Sequence, residues 1–129
     1  METGVDLTFE LSGAPAALNQ AIEVTGFDGR VVIGSWYGKK RAEIDLGGKF
    51  HRSRIRLVSS QVSTVAPALS GRWDKPRRLR VAWEEILKNR PQRWVTHRFQ
   101  FADAPKAYRL MADHPEESLG VLLDYPGGD

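Results

Sequence analysis

The run Arg30-Val31-Val32-Ile33-Gly34-Ser35 carries three consecutive β-branched apolar residues and no polar alternation. A strand with one wet face alternates apolar and polar side chains, so this run predicts a strand covered on both faces of a parallel sheet. Parallel neighbours must be joined by a crossover, and the preceding sequence supplies one. Val5-Asp6-Leu7-Thr8-Phe9-Glu10-Leu11 is a β-rich run with almost no lead-in. Ser12-Gly13-Ala14-Pro15 follows as a turn, with Ser12 or Gly13 as the predicted N-cap and a proline in the first helical turn. Ala14, Leu18, Ala21, Ile22 and Thr25 then recur at helical spacing, Gly26 is the expected residue just past the helix, and Phe27-Asp28-Gly29 closes the connection. The pattern is β-α-β.

The remainder continues in the same style. Residues 36–49 are Gly-rich and charged, and predict a long connection with a short extended piece at 42–46. Ile55-Arg56-Leu57-Val58-Ser59 is the third strand, and residues 60–72 read as irregular or weakly helical, with Pro67 and Gly71 against a long element. Asp74 and Pro76 start the best-defined amphipathic helix, which Asn89-Arg90-Pro91 stops. Its stripe of Leu79, Ala82, Trp83, Ile86 and Leu87 places Trp83 in the core. Residues 94–101 alternate and predict a strand. Asp103-Ala104-Pro105 caps a helix carrying Ala104, Ala107, Tyr108 and Met111, and Leu119-Gly120-Val121-Leu122-Leu123 is a last strand. No internal repeat, low-complexity tract or flexible linker is visible.

Composition narrows the function by exclusion. The 129 residues, 41% hydrophobic and 27% charged, are one domain's worth of chain and enough to bury a core. Zero cysteines remove a disulfide framework, a cysteine nucleophile and a thiolate metal site, and make a cytoplasmic location the expectation. No apolar run approaches the roughly 18 residues of a spanning helix. Met1-Glu2-Thr3-Gly4-Val5-Asp6 lacks the basic and apolar regions of a signal peptide, so no membrane partner is expected. His51, His97 and His114 are too dispersed for a local metal motif; the first and last are expected at the surface and His97 in a half-buried strand. The neighbours in Glu84-Glu85 and in Glu116-Glu117 would point about 100° apart on a helix, which reads as solvation. Tyr37 and Arg41 do not make a Tyr-x-x-x-Lys pair, because a guanidinium does not usefully deprotonate.

The net charge of +3 is modest but uneven. Between Lys39 and Arg93 lie 15 of the 19 Lys and Arg residues against five acids, a local charge of +10. With Trp73 and Trp83 in this stretch and Trp94 just beyond it, this supports an alternative reading as a small basic binding module for nucleic acid or other anionic ligands. No RNA or DNA recognition signature accompanies it, and a solvated face is the rival explanation.

Three segments together carry a family likeness. Val5-Asp6-Leu7-Thr8-Phe9-Glu10-Leu11-Ser12-Gly13, Gly29-Arg30-Val31-Val32-Ile33-Gly34, and Thr96-His97-Arg98-Phe99 with the helix at 103–111 resemble, in order and spacing, the C-terminal portion of medium-chain, zinc-type alcohol dehydrogenases. The resemblance runs from about Gly4 to Tyr125. It implies an α/β fold in two parts. Residues 1–93 would hold the C-terminal half of a Rossmann-type parallel sheet, its fourth to sixth strands, and residues 94–129 the C-terminal strand-helix-strand of the catalytic domain. In the usual strand order 3-2-1-4-5-6 the first strand of this chain would have an open edge. Open apolar edges favour association, so a homo-oligomer or pairing with a missing N-terminal half is expected. Met1 would then be an internal or mis-assigned start.

The resemblance also implies chemistry. A complete oxidoreductase of this kind transfers a hydride between NAD or NADP and an alcohol or carbonyl carbon. Carried over by position, cofactor binding falls to Leu11, Ser12, Ile33, Gly34, Ser35, Leu57 and Ser59, at strand C-terminal ends, where they would line the nicotinamide pocket largely through backbone groups. No catalytic residue is assigned. Gly13 is the only glycine at a strand-to-helix junction, so the G-x-G-x-x-G fingerprint for the pyrophosphate is missing. Gly120 stands where relatives often carry Lys or Arg. Zinc is not expected in this chain, and the isolated chain is expected to be inactive.

Overall fold

The computed structural model describes residues 4–127, so the reading of the first three residues lies outside it. Two compact units divide between Gly71 and Arg72. The first contains β1 (Val5–Glu10), α1 (Ala17–Val24), β2 (Thr25–Ile33), the four-residue α2 (Lys49–Arg52) and β3 (Arg56–Ser59). Its three strands are parallel in the order β1-β2-β3. Glu10, Ile33 and Ser59 form the last row of the sheet, since Glu10 pairs with Ile33 and Ile33 with Ser59.

Leu18, Ala21 and Ile22 of α1 bury one face of this sheet together with Val31 and Ile55, and Tyr37, Ile44, Phe50 and Leu57 pack around them. Val31 is fully buried. The opposite face is not covered as the apolar run of β2 predicts: Val32 is half-buried, while Phe9 is 60% and Val58 42% exposed. A parallel sheet of three strands with one crossover helix has material to cover one side only.

Several boundaries differ from expectation for identifiable reasons. α1 begins at Ala17, and neither Ser12 nor Gly13 caps it; Ser12 Oγ instead accepts from the Ala14 N–H at 3.1 Å and closes the turn. Gly26 does not follow the helix as a left-handed residue, and residues 27–29 are not a free connection. The chain turns straight from helix to strand at Thr25, whose buried hydroxyl bonds the Ala21 carbonyl at 2.7 Å and the Thr8 hydroxyl at 2.7 Å. Residues 42–46 are not extended strand; Asn19 fixes them through Glu43 O at 2.9 Å and Asp45 N at 3.0 Å.

The second unit holds α3 (Lys75–Asn89), β4 (Val95–Gln100), α4 (Ala104–Asp113) and β5 (Gly120–Asp124). Asp74 caps α3 by accepting from the Arg77 N–H at 2.7 Å, and Arg90 ends it in a left-handed conformation at φ 48°. The stripe read as core is exposed: Leu79 59%, Trp83 58%, Ile86 41% and Leu87 76%. Amphipathic spacing identifies the helix but does not provide a partner for its apolar side. β4 and β5 pair with each other in parallel, joined by α4, whose Ala107 is buried while Tyr108 is 66% exposed. Asp103 does not cap α4 and pairs with Lys106 at 2.8 Å. A Cβ at Gly120 would lie 2.8 Å from the Trp94 carbonyl oxygen, so close strand approach accounts for glycine at this position.

Candidate functional site

Every residue singled out for cofactor binding lies at the C-terminal end of the three-stranded sheet. Ile33 and Ser59 stand on its last row, Leu57 two residues before, and Leu11, Ser12, Gly34 and Ser35 just beyond. Leu11 is 70% exposed at this edge, and a Cβ on Gly34 would overlap its Cδ2 atom. Ser60 N–H bonds the Ile33 carbonyl at 2.8 Å, which brings the exit of β3 to the same edge.

Two connections form a rim there, the turn after β1 and the loop after β2. Gly34 N–H donates to the Glu10 carbonyl at 3.0 Å. Ser35 Oγ accepts from the Gly13 N–H at 2.9 Å, and Lys40 Nζ donates to the Gly13 carbonyl at 2.9 Å. At the centre is a residue that the sequence pattern does not single out. Glu10 is 4% exposed; its Oε1 accepts from the Ser12 N–H at 2.7 Å and from the Ser12 hydroxyl, and its Oε2 accepts from the Tyr37 hydroxyl.

Burial alone would raise the Glu10 carboxyl. The bonds from the Ser12 hydroxyl, the Tyr37 hydroxyl, the Ser12 N–H and Ser35 outweigh it and lower the group from 4.5 to about 2. Burial, the bond to Glu10 and the carboxylate charge push Tyr37 up from 10.0 to about 12. At neutral pH the rim therefore holds a carboxylate facing a neutral phenol.

The edge presents an exposed apolar Leu11 and strand-end backbone, while the Ser12 and Ser35 hydroxyls are turned to Glu10, to its Oε1 and its carbonyl respectively. It does not suit the pyrophosphate, because α1 starts without a side-chain cap and without a glycine series. A cysteine-containing zinc donor set is not available from these residues. The chain has no cysteine, His97 bonds Thr96 Oγ1 at 3.0 Å and stacks near Phe99, and His51 and His114 are exposed. His114, Glu116 and Glu117 alone among the described residues bring metal-ligating atoms together, all exposed, with His114 lying 3.7 and 3.8 Å from the two carboxylates.

A cleft of about 320 Å³ lies elsewhere, lined by Asn19, Gln20, Ile22, Glu23, Asp45 and Lys49. Its polar groups already serve the fold: Asn19 holds the 43–45 backbone, Asp45 bonds the Gly47 and Gly48 N–H groups, and Lys49 donates to the Glu23 carbonyl. Among the described residues no helix is long and apolar enough to cross a membrane.

No protein-family model matches the chain. It is 28% identical over 117 residues to L-arabinitol 4-dehydrogenase of Hypocrea jecorina, covering 91% of this chain and 28% of that enzyme. L-idonate 5-dehydrogenase of Escherichia coli superimposes with a TM-score of 0.64 at 26% identity, over 95% of this chain and 32% of its own. Zinc-dependent alcohol dehydrogenase 2 of Streptococcus pneumonia shares the fold with a TM-score of 0.70 at 22% identity, over 98% of this chain and 33% of its own. The chain thus spans about a third of the relatives it matches. Its α/β architecture, parallel strand order and sequence make it similar to the C-terminal portion of the medium-chain, zinc-type alcohol dehydrogenase-like dehydrogenases and reductases.

Proposed function

We propose that this chain supplies the nicotinamide-side half of the cofactor site of an alcohol or polyol dehydrogenase. The observation that carries the reading is the convergence of Leu11, Ser12, Ile33, Gly34, Ser35, Leu57 and Ser59 on the C-terminal edge of one parallel sheet, where open α/β sheets bind their ligands. The dehydrogenase names of the relatives supply the reaction class, and NAD or NADP would be the hydride carrier. Leu11 would pack against the nicotinamide ring, and the backbone at Ser12, Gly34 and Ser59 would orient its carboxamide. The pyrophosphate and zinc contacts of such an enzyme would come from outside these residues. A missing N-terminal half or a second copy of the chain would provide the neighbour for β1, and the assembly would act in the cytoplasm.

Titration of the purified chain with NADH and NADPH, followed by nucleotide fluorescence and binding heat, tests the reading. Saturable binding in the micromolar range would mean that the chain assembles a usable cofactor site without the glycine loop, and no binding up to millimolar nucleotide would overturn the reading for the chain alone. A second reading draws on one observation: Arg72, Lys75, Arg77, Arg78 and Arg80 crowd the start of α3, with the Arg77 guanidinium 4.4 Å above the Trp73 ring. Such a surface suits a polyanion such as nucleic acid. Binding to a random oligonucleotide that falls steeply with salt would favour it, and no binding at low salt would remove it.

A further inference from the structure

The sequence carries a buried acid at the end of β1 that the proposed reading leaves unused. Glu10 shares the sheet face of Thr8, since strand side chains alternate, and that is the face α1 covers. A buried carboxylate needs several donors, and here they come from two directions. Ser12, two residues on, donates from its N–H and its hydroxyl to Oε1, while Tyr37, 27 residues on, donates to Oε2. One side chain thereby joins the turn at residues 11–14 to the loop at residues 34–40.

Two further bonds run between the same segments and depend on the same spacing: Gly13 N–H to Ser35 Oγ, and Lys40 Nζ to the Gly13 carbonyl. Ser35 Oγ also reaches the Glu10 carbonyl at 3.4 Å. Connections at a sheet edge are ordinarily the mobile part of a fold. Cross-tied in this way, the two segments share one geometry, and a ligand that binds them would not have to order them first.

We propose that Glu10 is a positioning residue that locks the turn after β1 and the loop after β2 into a single rigid rim. It does so through Ser12 and Tyr37, without itself touching a ligand. What the rim serves, presentation of Leu11, Ser12, Gly34 and Ser35 to a nicotinamide ring, rests on the reading above; the rigidity itself does not. Tyr37 is then the remote half of the tie, its hydroxyl committed to Glu10.

Amide hydrogen exchange of the whole chain, read residue by residue in the wild type and in Tyr37→Phe, tests this. The variant deletes one oxygen from a half-buried side chain that keeps its ring in the core cluster. Loss of a bond to a charged acceptor should speed exchange at the Ser12, Gly13 and Gly34 amides about tenfold, with the Val31 amide as an internal reference for global opening. Glu10→Gln, which exchanges an acceptor for a donor opposite Tyr37, should act on the same three amides. Unchanged exchange at the three amides overturns the proposal. So does acceleration of Val31 in step with them, because Glu10 would then support the entire unit and not its rim. An NADH titration of the same proteins separates the two claims. A wild type that binds and a Tyr37→Phe variant about tenfold weaker joins rigidity to affinity. A wild type that does not bind removes the cofactor reading and leaves the exchange result to decide the rim.

Discussion

Glu10→Gln should alter how stability depends on pH, because it removes a carboxyl that titrates differently in the folded and unfolded chain. The folded carboxyl titrates at about 2 and the unfolded one near 4.5, so between those values the unfolded chain binds more protons. The stability that the ionised group contributes is thus fully present above pH 4.5 and is lost as pH falls toward 2. At about 1.4 kcal/mol per pKa unit the whole shift has a ceiling of about 3 kcal/mol, of which about 2 would be gone by about pH 3. Discounted for solvent screening at the end of the sheet, the expected loss is about 1 kcal/mol. Urea unfolding followed by tryptophan fluorescence, on wild type and Glu10→Gln at about pH 7 and about pH 3, isolates this group from the other acids, which titrate alike in both proteins. The gap between the two unfolding free energies should narrow by about 1 kcal/mol in acid. Parallel pH responses would refute the claim that the native hydrogen bonds hold this carboxyl ionised.

Three other substitutions probe separate parts of the argument. Val31→Ala removes two methyl groups from the fully buried centre of the first unit and should cost about 2 kcal/mol in urea unfolding; an unchanged midpoint would contradict the burial of β2 against α1. Gly34→Ala meets only the mobile end of the exposed Leu11, so stability should change by less than about 1 kcal/mol while Leu11 is displaced and NADH binding weakens; equal affinity in variant and wild type would dissociate Leu11 from the cofactor. Asp74→Ala deletes the side-chain cap of α3 and should cost that helix about 1 kcal/mol, seen as faster exchange of its first-turn amides with no change in the first unit.

Local chemistry is legible without a structure where the signal lies within a few residues. The start of α3 at Asp74 and Pro76 and its stop at Arg90-Pro91 depend on contacts of neighbours in sequence, and both fall where the capping pattern predicts. The parallel order β1-β2-β3 likewise follows from an apolar run with a crossover on its N-terminal side. The start of β2 was not legible, because Gly26 reads as a helix terminator and glycine is disfavoured in strands; the Thr8–Thr25 hydroxyl bond that draws the chain into the sheet joins residues 17 apart.

Glu10 marks the same divide at the site. Read by alternation alone, Val5, Leu7, Phe9 and Leu11 would face the core and Glu10 would face water. The structure has it the other way round: those four side chains are 39–70% exposed and Glu10 is buried. Which segments become strands and helices, their parallel sense, and which strand ends meet at one edge depend on period, capping and crossover, and so are written in short-range pattern. Tertiary structure alone decided which side of β1 faces α1, which apolar stripes remain open, and that the carboxylate of residue 10 would find its second partner at residue 37. Those outcomes depend on pairing register and on contacts between segments far apart in the chain, where no short-range pattern carries the information.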